Sequence, residues 1–202
     1  MTKIKLCGLT RPVDIQAAND LRPDYVGFVF FSRSRRRLSP KQAASLKELL
    51  SPEIRAVGVF VDEAPEKIAL LLEEGVIDVA QLHGREDMTY YRRLRELTDK
   101  PVIKAFRIEK EQDCLQAEND PSDFVLLDSG TGSGVAFDWS AVAGVRRPYF
   151  LAGGLHAGNV RAAIQALHPY GVDVSSGIET DSVKDQFKMA AFVAAVREED
   201  AL

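Results

Sequence analysis

Residues 57–82 read VGVFVDEAPEKIALLLEEGVIDVAQL. The run Val57 to Val61 is continuous and apolar, as a strand covered on both faces must be. Ala64-Pro65 follows, and proline suits the first turn of a helix, where its missing N–H leaves nothing unsatisfied. Ile68, Leu71 and Leu72 then recur on one side at helical spacing, and a second apolar run, Val79 to Leu82, opens the next strand. A strand, a helix and another buried strand form the unit in which parallel strands are joined by the helix that covers them.

Outward from this stretch the pattern repeats. Apolar β-rich runs occur at Ile4 to Cys7, Tyr25 to Phe30, Val57 to Val61, Val79 to Leu82, Val102 to Phe106, Phe124 to Leu127, Tyr149 to Ala152 and Val172 to Val174. Helical stripes lie between them: Leu46, Leu49 and Leu50; Leu94 and Leu97; Val160, Ala163, Ile164 and Leu167. A last segment, Asp185 to Glu199, carries Phe187, Ala191, Ala194 and Ala195 on one side. Ser39-Pro40 and Ser51-Pro52 each set a hydroxyl before a proline; the first reads as a helix start and the second as a loop.

Eight such units predict an α/β fold, a compact single-domain (β/α)8 TIM barrel over residues 1–202 with short loops; an open doubly wound sheet is the competitor. A chain of 202 residues allows about 25 per unit, which just holds a strand, a helix of about ten residues and two short loops. Two units look thin: Asp138 to Val145 allows barely two helical turns, and Lys110 to Glu118 has few apolar positions.

The composition narrows the function classes. Lys and Arg number 26 against 30 Asp and Glu, a formal charge of −4, which disfavours nucleic acid or an anionic membrane surface as partner. Cys7 and Cys114 are too few for a disulfide framework, and with three histidines they show no zinc-ligand spacing, so no metal is expected. No apolar run approaches the length of a membrane span, and the first residues lack the pattern of a secretory signal, so the expected location is cytoplasmic.

In a barrel of this kind the active site is built from segments that follow the strands' C-terminal ends. Gly153-Gly154 and Ser175-Ser176-Gly177 follow the seventh and eighth runs, where backbone N–H groups often bind phosphate; each alone is equally readable as a tight turn. Asp128 closes the run Phe124-Val-Leu-Leu-Asp, either as a general acid at a partly desolvated mouth or as a loop cap. Cys7 closes Ile4-Lys-Leu-Cys, as a small core residue or as a base that needs help to ionise. Cys114 reads as structural. Among Arg33, Arg35, Arg36 and Arg37, most suit a solvated charge run, and one could hold a carboxylate bidentately. His83 after the fourth run, near Gln81, suits a base, an orienter or a loop histidine with one structural hydrogen bond. Gly130, Gly132 and Gly134 suit a flap or a turn.

Taken in order, Lys3-Ile-Lys-Leu-Cys-Gly-Leu-Thr, Gly27-Phe-Val-Phe with Ser34-Arg35-Arg36, Val57-Gly-Val-Phe-Val, Val79-Ala-Gln-Leu-His-Gly, Leu126-Leu-Asp, Gly132-Ser-Gly with Phe137-Asp-Trp, Ala152-Gly-Gly-Leu and Val172-Asp-Val-Ser-Ser-Gly-Ile-Glu before Lys184-Asp185 span nearly the whole chain. Together they resemble the phosphoribosylanthranilate isomerases of tryptophan biosynthesis, whose fold is a (β/α)8 barrel. The resemblance implies an Amadori rearrangement of N-(5-phosphoribosyl)anthranilate to 1-(2-carboxyphenylamino)-1-deoxyribulose 5-phosphate, with no metal or organic cofactor. It implies Asp128 as general acid, Cys7 as general base and Arg36 as the group that binds the anthranilate carboxylate. Phosphate would lie on Gly153, Gly154, Ser175, Ser176 and Gly177, with Gln81, His83 and Asp173 lining or supporting the site.

The pattern departs from the family's at Arg35 and Arg37, where a proline and an aromatic are frequent. It departs again at Thr131, in the short stretch from Asp128 to Phe137, and at Thr180-Asp-Ser-Val, which lacks a frequent glycine. None removes a candidate catalytic group. Two other functions compete: a phosphosugar isomerase of histidine biosynthesis, which would use an aspartate where this chain has Cys7, and a non-catalytic phosphosugar-binding regulator. Both monomer and homodimer stay open.

Overall fold

The computed structural model describes residues 1–128, 142 and 144–201. Its main strands are β1 (Lys3–Cys7), β2 (Tyr25–Val29), β3 (Arg55–Phe60), β4 (Val79–Leu82), β5 (Val102–Arg107), β6 (Phe124–Asp128), β7 (Tyr149–Ala152) and β8 (Gly171–Val174). Between and after them run α1 (Pro12–Leu21), α2 (Pro40–Glu48), α3 (Pro65–Glu73), α4 (Met88–Leu97), α5 (Glu111–Glu118), α6 (Val160–Leu167) and α7 (Gln186–Glu199). A small antiparallel hairpin, β9 (Glu179–Thr180) with β10 (Val183–Lys184), precedes α7.

All eight main strands pair in parallel with the next in sequence, and β8 pairs back onto β1 through Ile4↔Val172 and Leu6↔Val174. The sheet therefore closes, and the open doubly wound alternative is excluded. Each expected run is a strand to within two residues at either end. The helices are as short as the length required, eight to ten residues apart from α7 with 14. Gly130, Gly132 and Gly134, and most of the short helix expected at 138–145, lie outside the described residues.

Strand periodicity explains both the apolar runs and the site. Outward residues such as Ile4, Leu6, Val26, Phe28, Ala56, Ala80, Val125 and Leu127 belong to the large buried layer between barrel and helices. Inward residues Tyr25, Val57, Val79, Ile103, Leu126 and Phe150 form a second buried cluster that plugs the barrel. Two residues further along, Val59, Gln81, Asp128 and Ala152 lie on the same inward side and line the cavity above that plug.

The local signals act as expected at most helix starts. Ser39 accepts from the Gln42 N–H and Gln42 reaches back to the Ser39 N–H, a reciprocal cap, with Pro40 in the first turn. Ser51-Pro52 lies in a loop. Three stripes need correction. Leu97 is exposed while Leu94 is buried. Leu49 lies past the end of α2 and is exposed, while Leu46 and Leu50 are buried. In α7 the buried face is Met189, Phe192, Val193, Ala195 and Val196; Phe187, Ala191 and Ala194 lie on the outer side, with Phe187 88% exposed. Alanine fits either face of a helix, so an alanine stripe gave the wrong orientation where larger Met, Phe and Val decided it.

Candidate active site

The first strand brings two polar residues into the barrel interior. Lys5 and Cys7 alternate with Ile4 and Leu6, so they face inward while the aliphatic residues face the helices. Lys5 is fully buried, and its Nζ donates to Asp173 Oδ1 at 2.8 Å on the neighbouring β8. Burial works to discharge the Lys5 ammonium, but Asp173 outweighs it and leaves the pKa above the ordinary lysine value. Cys7 is also buried, and that burial pushes its thiol up despite the nearby charges of Lys5 and Lys184. Its partner across the sheet is Gly27, where an added Cβ would lie 2.6 Å from Cys7 Sγ. A glycine there is what leaves room for the thiol.

The segment after β2 separates the four arginines by where they point. Arg33, Arg35 and Arg37 are exposed, whereas Arg36 turns inward and lines the cavity. Its aliphatic stem crosses Gly8, where a Cβ would meet Arg36 Cδ at 2.4 Å; Gly8 also adopts φ +80°, a conformation glycine permits. Glu179 holds the guanidinium, accepting from Nε at 2.6 Å and from Nη2 at 2.8 Å. Lys184 Nζ donates to the same carboxylate at 2.7 Å, and Arg35 Nη2 at 2.9 Å. Burial alone would raise the Glu179 pKa, yet the Arg36 and Lys184 hydrogen bonds and charges hold it at about 2.

On the other side of the mouth, Gln81 Nε2 donates to His83 Nδ1 at 3.0 Å. With the amide in this orientation Nδ1 accepts, and it is Nε2 that faces Asp128, 3.5 Å from Oδ2. The loop carrying His83 is pinned from below. Glu86 accepts from the Gly84 and Asp62 N–H groups at 2.9 Å each, and from buried Lys104 at 2.6 Å.

The last two loops complete the cavity. Gly153 and Gly154 take φ +94° and +63°. Ser175 Oγ donates to the Cys7 carbonyl, and Lys184 Nζ donates to the Ser175 carbonyl at 2.8 Å. Among the described residues the N–H groups of Gly154, Ser176 and Gly177 donate to no other backbone or side chain, which leaves a set of donors suited to an anion. Gly177 does not line the cavity itself; a Cβ there would fall 1.9 Å from the Leu155 carbonyl oxygen, so its bare backbone lets the two loops meet.

These side chains enclose about 380 Å³. Cys7, Arg36, Gln81, His83, Asp128, Gly153, Gly154, Asp173, Ser175 and Ser176 all line it, and Phe31, Val59, Val61 and Leu155 supply apolar wall. Lys5, Glu179 and Lys184 are missing from the sequence-derived site. A lysine within the apolar run Ile4-Lys-Leu-Cys was the available signal for the first; Glu179 and Lys184 stood inside quoted motifs with no spacing that marked them.

Comparison with known proteins points to one family. The family N-(5'phosphoribosyl)anthranilate (PRA) isomerase matches residues 4–195. An N-(5'-phosphoribosyl)anthranilate isomerase of Endomicrobium trichonymphae is 42% identical over 202 residues, covering 98% of this chain and 99% of the relative. The crystal structure of the phosphoribosyl anthranilate isomerase from Thermotoga maritima superposes with a TM-score of 0.90 at 37% identity, over 98% of this chain and 100% of that one. Another solved isomerase, 36% identical with a TM-score of 0.87 and covering 98% and 100%, is in complex with reduced 1-(o-carboxyphenylamino)-1-deoxyribulose 5-phosphate. With sequence and fold in agreement over almost its full length, the chain belongs to the phosphoribosylanthranilate isomerase family.

Proposed function

We propose that this chain carries out its family's Amadori rearrangement, turning N-(5-phosphoribosyl)anthranilate into 1-(2-carboxyphenylamino)-1-deoxyribulose 5-phosphate, with Asp128 as general acid and Cys7 as general base. The observation that carries the reading is the meeting of a carboxyl, a thiol and a pinned guanidinium around one cavity. Asp128 protonates the furanose ring oxygen; the C1–O bond breaks and the anilino nitrogen's electron pair forms the Schiff base. The Cys7 thiolate then takes the C2 proton, and the C2–H electrons flow toward nitrogen to give an enolamine. Ketonisation places a proton on C1, and exchange with solvent restores acid and base. Positioned proton transfer of this kind needs no cofactor.

Each remaining group has a use in this reading. Arg36 holds the anthranilate carboxylate, and Phe31, Val59, Val61 and Leu155 flank its ring. The free N–H groups after β7 and β8, with Ser175 and Ser176, hold the phosphate. His83, fixed by Gln81, donates toward Asp128 and keeps its carboxyl aimed at the sugar. The histidine-biosynthesis alternative needs an aspartate at the end of β1, where Cys7 stands. A cytoplasmic single-domain enzyme acting on a small molecule follows from the reading, and among the described residues no helix is long and apolar enough to cross a membrane.

The deciding experiment mixes purified protein with freshly generated phosphoribosylanthranilate and follows the loss of its fluorescence against spontaneous decomposition. Rapid, enzyme-dependent loss with formation of the ketose is expected; ligand binding without turnover would leave only a binding protein.

A further inference from the structure

The carboxylate of Glu179 is held by several cations beside the mouth, yet it does not line the cavity. Its side chain is 4% exposed and meets three cations: Arg36 through two hydrogen bonds, Lys184 and Arg35. The pattern of donors is informative. An arginine offers two forks, one built from Nε and Nη2 and the other from Nη1 and Nη2. Glu179 occupies the first, at 2.6 and 2.8 Å. Nη1 has no acceptor among the described residues, so the second fork of a cavity-lining guanidinium stays available. That second fork has the geometry for a bidentate carboxylate. One acid set against three cations also leaves surplus positive charge beside it, so the clamp does not cancel the attraction for an anionic ligand.

We propose that Glu179 is a positioning residue for substrate selectivity: by clamping one fork of Arg36 it presents the other to the carboxylate of the anthranilate ring. Lys184 joins this clamp to the phosphate side, since its ammonium bridges Glu179 and the carbonyl of Ser175. Hairpin β9–β10, which carries both residues, thereby fixes the distance between the two anion-binding ends of the cavity. The inference rests on the proposed assignment of Arg36 to the substrate carboxylate.

The test compares two ligands by calorimetry: 1-(2-carboxyphenylamino)-1-deoxyribitol 5-phosphate and the same molecule without the carboxyl group. Wild-type protein should prefer the first by about tenfold or more, the scale of a charge-assisted hydrogen bond. Glu179→Gln should remove most of that preference while leaving affinity for the second ligand within about threefold of wild type. If the variant keeps the wild-type preference, or weakens both ligands equally, Glu179 does not aim the guanidinium. If wild-type protein binds both ligands with no preference, the assignment of Arg36 itself fails, a result distinguishable from either. Wild-type protein supplies a second measurement that does not depend on the variant folding. A clamped Arg36 Nε–H should give a resolved, slowly exchanging signal in the proton–nitrogen spectrum before ligand is added, assigned by its loss in Arg36→Lys; exchange broadening of that signal would overturn the clamp.

Discussion

The two sides of the barrel mouth are built differently. Around β8, β1 and β2 the polar groups are locked by buried ion pairs: Lys5 with Asp173, and Glu179 with Arg36 and Lys184. Around β4 and β6 the buried pair of Lys104 with Glu86 lies beneath the loop, not on the cavity wall. At the cavity, His83 Nε2 lies 3.5 Å from Asp128 Oδ2, and Gln81 Oε1 is buried without a partner among the described residues. The first side can recognise fixed charges, because its own are already in place before ligand arrives. The second retains hydrogen-bonding capacity for a ligand whose oxygen and nitrogen atoms change protonation during the reaction. A buried acceptor such as Gln81 Oε1 is costly when empty, which suits a site that gains a donor only on binding.

The largest effects should come from the two groups proposed to transfer protons, one on each side. Asp128→Asn and Cys7→Ser should each lower kcat by roughly 10²- to 10⁴-fold. The pH dependence separates their roles. Because burial holds the Cys7 thiol above its ordinary pKa, the thiolate is a minority at neutral pH and grows about tenfold per pH unit below that pKa. In Asp128→Asn only this base should limit the residual rate, so log kcat/KM should climb with pH from 6 to 8 with a slope of about one. In Cys7→Ser that rise should vanish. A flat profile for Asp128→Asn would remove Cys7 as the base.

On the recognition side, Arg36→Ala should act mainly on KM, raising it about 10- to 100-fold with kcat changed only a few-fold, the signature of lost uniform binding. Unchanged kinetics would shift the carboxylate to Arg35, which also touches Glu179.

That Arg36 alone of the four arginines lines the cavity illustrates what the sequence could and could not show. Eight apolar runs and their spacing pointed to a barrel, because strands covered on both faces leave a continuous apolar pattern, while the pairing of β8 with β1 is what excludes the open sheet. The ends of those runs marked Cys7 and Asp128 as candidates, and both line the cavity. Four arginines in five residues could not be ranked from composition, since orientation depended on Gly8 leaving room for one stem and on an acid 143 residues away. Glu179 and Lys184 were invisible for the same reason: a buried ion pair across β9 and β10 is made by tertiary packing, and each residue alone looks like surface charge. The outer face of α7 was misread because alanine does not distinguish inside from outside.

A smaller change should follow from Gly177→Ala. The added methyl group would collide with the Leu155 carbonyl, which is backbone and cannot rotate away, so the loops after β7 and β8 must separate. A cost of about 1–3 kcal/mol is the usual scale for such overpacking, visible as a lower urea midpoint. Weaker inorganic phosphate binding should accompany it, whereas the Asp128 side should keep its pH profile. If phosphate affinity is unaltered, Gly177 serves only the scaffold.

The smallest effect is a pH dependence of stability on the recognition side. Glu179 has a folded-state pKa of about 2, against about 4.3 for an unfolded glutamate. A carboxylate with a depressed pKa stabilises the fold above its unfolded value, and that contribution fades as pH falls through the folded one. Between about pH 4.3 and 2 the native protein should therefore lose the support of this clamp. Glu179→Gln carries no titrating group there, so it should be less stable than wild type at pH 7 but lose less on acidification. The gap between their urea midpoints should narrow steadily below pH 4.3. A gap that stays constant to pH 2.5 would mean that shape, and not charge, holds Arg36 in place, and the contrast between the two sides of the mouth would then rest on Lys5 and Asp173 alone.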